Sequence, residues 1–186
     1  MVKYDYFENL EKLSSLSCSA VSLACSGNSK GDFSNIRMSC DRLVCETEDA
    51  LFSDFLPPLE RDSIAAAAHS LSRITDRAGE LLSDSGIEPS LMRYNEEAKI
   101  CAKLSEELDR HIRILRKIRR PDEMPNIQGF RKLLCEGREA HKSMLKRLRC
   151  ASLPKNYAEC IILTGRLRTE LSVAFDLLVE IMLNNI

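Results

Sequence analysis

The segment that most constrains the fold is FLPPLERDSIAAAAHSLSRITDRAGELL, residues 55–82. Pro57 and Pro58 are expected to end the preceding helix, because proline cannot donate the next helical hydrogen bond and its ring clashes with the preceding turn. After them, apolar residues recur every three or four positions, which places them on one face of a long helix. The segment therefore predicts two amphipathic helices joined by a short turn.

The same periodicity predicts six helices in all, separated by glycine or proline, with expected bounds of about 4–26, 34–55, 60–83, 90–118, 127–150 and 155–186. Ser34 is the expected N-cap of the second helix. The predicted buried stripe of the third helix is Ile64, Ala67, Ala68, Leu71, Ile74, Ala78 and Leu81. Alternating β-branched and aromatic runs are absent, and short loops between long helices favour antiparallel neighbours. We therefore expect an all-α fold, an antiparallel six-helix bundle forming a single domain over residues 1–186.

The two halves of the chain follow the same plan. FLPPLERDSI precedes the third helix and ASLPKNYAEC precedes the sixth, so a proline-containing turn introduces the last helix of each half. We interpret the chain as two three-helix repeats, at about 1–88 and 89–186.

Membrane insertion and export are not expected from this sequence. No run of 18 apolar residues is present, and MVKYDYFENLEKL lacks the basic and then apolar pattern of an export signal. A cytoplasmic location is the default expectation. The eight cysteines include no Cys-x-x-Cys pair, so we expect small buried residues, with a thiol switch or a metal site as the alternatives.

Positive charge is concentrated in the fourth and fifth predicted helices. From Arg110 to Arg149 there are thirteen lysine and arginine residues against four aspartate and glutamate residues, although the whole chain has a formal charge of −1. Such a region either recognises an anionic partner or forms a solvated face balanced by acids on neighbouring helices. Nucleic acid is disfavoured, because aromatic residues for base stacking are missing. The residues expected to bind a partner are Arg113, Arg116, Lys117 and Arg120.

The central segment FLPPLERDSIAAAAHSLSRITDRAGELL, with CDRLVCETEDAL before it, resembles the PhoU-like family of phosphate-transport regulators. HKSMLKRLRC and the helix after it look like the corresponding second repeat. The resemblance implies a cytoplasmic, non-enzymatic regulator or accessory protein of inorganic phosphate transport. Its partner would be the phosphate transporter or a regulatory protein of that transporter, with peripheral membrane association compatible with this role. We also expect a homo-oligomer.

The resemblance further implies paired acids, four residues apart on two helices, that bring carboxylates together for a divalent metal or iron. Asp41 and Asp76 match two of these acidic positions, but Arg37 and Ser72 stand four residues before them. In the second half the nearest candidates are Glu136 and Glu170. Asp41 and Asp76 therefore either form salt bridges across helices or hold a metal, and no other cofactor is expected.

A different function is suggested by AAAAHSLSR around His69, which resembles a histidine phosphotransfer signature. Ser72 and Arg73 stand where that signature has lysine and glycine, so a packed or interhelical histidine is the other interpretation. Catalysis is not expected. His111 and His141 have no nucleophile at a fixed spacing, and neither a glycine-rich phosphate loop nor a Glu-x-x-His pair is present.

Overall fold

The computed structural model describes residues 4–26, 31–55, 57–83, 92, 95–117, 126–150 and 156–185, and this part of the chain is helical and contains no strand. The helices are α1 (Tyr6–Ser26), α2 (Gly31–Ser53), α3 (Arg61–Ser83), α4 (Glu96–Ile114), α5 (Ile127–Cys150) and α6 (Tyr157–Asn184). A 3-10 turn, Leu115–Lys117, extends α4. The all-α expectation is confirmed for the described residues.

The predicted start of α2 is wrong. α2 begins at Gly31, so Ser34 lies inside the helix and is not its N-cap. The extra turn brings Phe33 over α3 at Gly79, where a Cβ atom would lie 2.6 Å from the Phe33 ring. The start predicted for the fourth helix, near residue 90, lies outside the described residues. α4 begins at Glu96, where the side chain of Asn95 accepts a hydrogen bond from the backbone of Ala98 and caps the helix.

The turn between α2 and α3 is stabilised by Arg61, which belongs to the segment of residues 55–82 described above. The guanidinium of Arg61, the first residue of α3, donates hydrogen bonds to the carbonyl oxygens of Leu51, Asp54 and Phe55. These carbonyls lie at and after the C-terminus of α2, where helical partners run out. Arg61 therefore joins the end of one helix to the start of the next.

Four helices, α1, α3, α4 and α6, form the centre of the molecule. α1 and α6 each pack against both α3 and α4, while α2 packs against α1 and α3, and α5 packs against α4 and α6. Within each half, the first and last helices contact each other and both contact the middle helix. The pairing among α1, α2 and α3 is therefore repeated among α4, α5 and α6.

The predicted stripes face a common interior. Every residue predicted for the α3 stripe is buried, and one hydrophobic cluster draws residues from all six helices. In the second half, the rings of Phe130 and Phe175 stack at a centroid distance of 3.7 Å, and His111 meets both edge-on. No described helix combines the length and the apolar character that crossing a lipid bilayer requires.

Candidate functional site

The two aspartates predicted as metal ligands lie on facing helices, and an arginine lies between them. Nη2 of Arg37 is 3.2 Å from Oδ1 of Asp41 and 2.8 Å from Oδ1 of Asp76, and Nη1 donates to the Ser72 hydroxyl at 3.2 Å. Burial raises the pKa of Asp76 above its usual value, and the positive charge of Arg37 opposes that rise. The guanidinium thus occupies the position between the carboxylates that a bridging cation would need.

A small pocket of about 290 Å³ adjoins this ion pair and is lined by Phe33, Arg37, Asp76, Gly79, Leu82 and Ser83. Across the described residues, no three histidine, cysteine, aspartate or glutamate side chains are grouped so that they could hold a metal ion. Asp41 and Asp76 are the two carboxylates of a cluster in which both pair with Arg37.

We expect Arg37→Gln to give the protein a thermal stabilisation by millimolar Mn²⁺ that exceeds the response of the wild type. The substitution removes the guanidinium that competes for the oxygens of Asp41 and Asp76, and carboxylates suit Mn²⁺. The melting temperature with and without Mn²⁺ measures the effect. Arg42→Gln, on the same helix beside Glu46, is the control. Equal Mn²⁺ responses in wild type and Arg37→Gln would contradict this interpretation.

The acids predicted for the second half do not form a comparable pair. Glu136 is exposed on α5, whereas Glu170 on α6 accepts from Arg73 at 3.4 Å and lies 3.5 Å from Nε of Arg77. Both arginines belong to α3, so Glu170 joins the last helices of the two halves. Arg166 is exposed on α6.

The basic residues predicted to bind a partner lie at the end of α4, where acidic side chains of α4 itself and of the segment from Asp5 into α1 pair with two of them. Nη1 of Arg116 is 2.9 Å from Asp5, and Nε of the same residue is 3.4 Å from Glu11. Arg113 pairs with Asp109 at 3.0 Å and donates to Ser15 at 2.7 Å. Lys117 is exposed. The fourth predicted residue, Arg120, lies outside the described residues.

His69 lies on α3 with its side chain about half exposed, at 47%. Its Nε2 atom is 3.0 Å from a carboxylate oxygen of Glu48 on α2. A phosphoryl group on that nitrogen would displace this contact and meet the negative charge of Glu48. The geometry is that of an interhelical histidine with one ring nitrogen already engaged.

The most buried charge among the described residues was not predicted. Glu97, in the first turn of α4, is fully buried, and its two carboxylate oxygens are contacted by Nε of Arg168 at 2.8 Å and Nδ1 of His141 at 2.7 Å. The three residues belong to α4, α6 and α5. A buried carboxylate needs such partners, because burying an unpaired charge carries a large desolvation cost.

Two helical glycines make room for this cluster. A Cβ atom on Gly137 of α5 would lie 2.8 Å from Cδ of Arg168, and one on Gly165 of α6 would lie 2.8 Å from Cε1 of His141. The side chains of Arg168 and His141 therefore each cross the neighbouring helix at a glycine. Glycine inside a helix usually costs about 0.5–1 kcal/mol relative to alanine, so close approach explains its presence here.

The cysteines divide into exposed and buried groups. Cys45 and Cys135 are exposed, whereas Cys40, Cys101 and Cys160 are buried. The expectation of buried cysteines is therefore confirmed for only part of the set. Burial raises the pKa of the Cys25 thiol to about 12 and raises that of Cys101 as well. These two thiols stay protonated at neutral pH, which disfavours nucleophilic and metal-binding roles.

The chain matches no protein-family model, and a search of curated proteins finds no significant relative.

Proposed function

We propose that the protein is a non-enzymatic, PhoU-like regulator or accessory protein of inorganic phosphate transport, built as an antiparallel bundle of two three-helix repeats at about 1–88 and 89–186. The observation that carries the proposal is the equivalent helix pairing in the two halves, in which α1, α2 and α3 correspond to α4, α5 and α6. A duplicated helical unit would give this pairing.

The segment that carries the resemblance supports the same proposal through its structural role. Arg61 of FLPPLERDSI holds the carbonyls that end α2 and begins α3, so the distinctive residues form the junction within the first proposed repeat. The proposal does not depend on a preserved metal site, since Arg37 stands at the position where the family pattern has an acid.

The partner-binding surface in this proposal is the end of α4, formed by Arg113, Arg116, Lys117 and Arg120. Arg113 and Arg116 are 51% and 43% exposed. Arg113 pairs with Asp109 on α4, and Arg116 pairs with Asp5, just before α1, and with Glu11 on α1. Exposed ion pairs contribute about 0–1 kcal/mol, so carboxylates of a partner can replace them at little cost. The proposed partner is the cytoplasmic side of a phosphate transporter or its regulatory protein.

The test combines Arg113→Gln, Arg116→Gln and Lys117→Glu in one variant and measures its association with membranes that contain the phosphate transporter of the source cell. We expect association to fall at least about tenfold, since several charge-assisted contacts are lost. The control variant carries Arg42→Gln, Lys99→Gln and Lys132→Glu, with the same total charge change on other exposed positions. Equal association of the two variants would reject this surface.

Phosphate uptake tests the role itself. Deletion of the gene is expected to change the rate or the regulation of radiolabelled phosphate uptake, and the basic-surface variant should not restore the wild-type behaviour. Unchanged uptake under both low and high phosphate would reject the role in transport. If the protein instead accepts an acid-labile phosphoryl group that is lost in His69→Gln, the phosphotransfer alternative replaces it.

A further inference from the structure

A groove of about 760 Å³, lined by residues of α3, α5 and α6, lies beside the Glu97 cluster and outside the proposed partner surface. Its wall includes Arg77, His141, Arg166 and Arg168, together with the exposed apolar side chains of Leu145 and Ile162. The volume lies within the range of about 300–1,000 Å³ that is typical of small-molecule sites.

The acids around the groove are already engaged by arginine and histidine side chains. Glu170, which also lines the wall, is contacted by Arg73 and Arg77, and Glu97 is contacted by Arg168 and His141. Arg166 has no ion pair or hydrogen bond to any other residue that the structure describes. The wall therefore carries an excess of positive charge that is not neutralised by its own acids.

Hydrogen-bond donors also remain available in the groove. Arg168 uses Nε to reach Glu97, and its two terminal nitrogens have no hydrogen-bond partner within the described ranges. The side chain is only 14% exposed and is held against Gly137, so its position is fixed before a ligand arrives. Pre-organised donors lower the entropic cost of binding.

We propose that this groove binds a phosphate group, with the guanidinium of Arg166 as its principal donor and Arg168 adding positive charge to the wall. The planar guanidinium matches a phosphate through two parallel hydrogen bonds, which makes arginine suited to this group. The ligand is either free inorganic phosphate or a small phosphate ester whose organic part lies against Leu145 and Ile162. The inference does not rest on the proposed role in transport, because it concerns a direct binding event.

The experiment titrates the full-length protein with inorganic phosphate, adenosine 5′-monophosphate and adenosine by isothermal calorimetry at constant ionic strength. We expect saturable binding of a phosphate-bearing probe and none of adenosine. Tighter binding of the monophosphate identifies an ester as the ligand type, whereas equal or tighter binding of inorganic phosphate identifies the free anion. Failure of both phosphate probes to saturate, or binding of adenosine as tight as that of its monophosphate, overturns the proposal.

Substitution of Arg166 tests whether the ligand binds in the groove. We expect Arg166→Gln to weaken the phosphate-bearing probe by about tenfold or more, with Arg166→Lys intermediate because lysine keeps the charge and loses the bidentate contact. Arg110→Gln, an exposed position paired with Glu107 on α4, should bind like the wild type. Unchanged affinity in Arg166→Gln, or an equal loss in Arg110→Gln, overturns the proposed site.

Discussion

Replacement of Glu97 by glutamine is expected to lower the free energy of unfolding by about 3 kcal/mol. The carboxylate is fully buried and is contacted on its two oxygens by Arg168 and His141. Glutamine keeps the shape but removes the negative charge, so Arg168, which is 14% exposed, remains largely buried without its counter-charge. The loss mainly reflects the desolvation cost of that stranded cation.

Urea denaturation, compared with Glu96→Gln, measures the effect. Glu96 is the adjacent residue, but its side chain is exposed and pairs with Lys99 on the surface, so its substitution should leave the stability close to that of the wild type. The midpoint for Glu97→Gln should fall while the denaturant dependence stays the same. Similar midpoints in the two variants would mean that the Glu97 contacts do not stabilise the fold.

Replacement of Phe175 by alanine is expected to lower the free energy of unfolding by about 3–5 kcal/mol. Its ring is fully buried, stacks on Phe130 of α5 and meets the edge of His111 of α4. The substitution loses the transfer energy of the ring and leaves a cavity that three helices cannot readily fill. Contact between aromatic rings contributes about 0.5–1.5 kcal/mol beyond the buried area.

Phe52→Ala provides the control for this prediction, because that ring is 91% exposed at the end of α2. The chemical change is the same and only the burial differs, so thermal and urea unfolding of Phe52→Ala should match the wild type within about 0.5 kcal/mol. A destabilisation of Phe175→Ala below about 1 kcal/mol would contradict the packing described for α4, α5 and α6.

The all-α class and the buried faces of the helices could be predicted from the sequence, because they depend on local rules. Ile64, Leu71, Ile74 and Ala78 recur at helical spacing, and a helix that buries one face places all of them inside. The helix boundaries were predicted less accurately. Ser34 is a favourable N-cap by composition, yet α2 begins earlier, where Phe33 packs on Gly79, so a tertiary contact overrides the local preference.

The candidate sites also differ in whether local pattern or tertiary contacts determine them. Asp41 and Asp76 were singled out from the sequence as metal ligands or salt-bridge partners, and Arg37 lies between them. The Glu97 cluster was missed because His141 and Arg168 lie 44 and 71 residues after Glu97 along the chain. Two signals could have indicated it. Glu97 shares the apolar stripe of α4 with Cys101 and Leu104, and Gly137 and Gly165 lie inside α5 and α6.

The sequence alone determined that this chain folds into amphipathic helices, since periodicity, prolines and cap residues act within a few residues of one another. Only the tertiary structure decided which charges meet. At the end of α4, Arg116 pairs with Asp5, which precedes α1, and with Glu11 of α1, and Glu97 gathers a histidine and an arginine from two other helices. Contacts between distant residues depend on how whole helices pack, and packing depends on the combined shape of many side chains rather than on any local pattern.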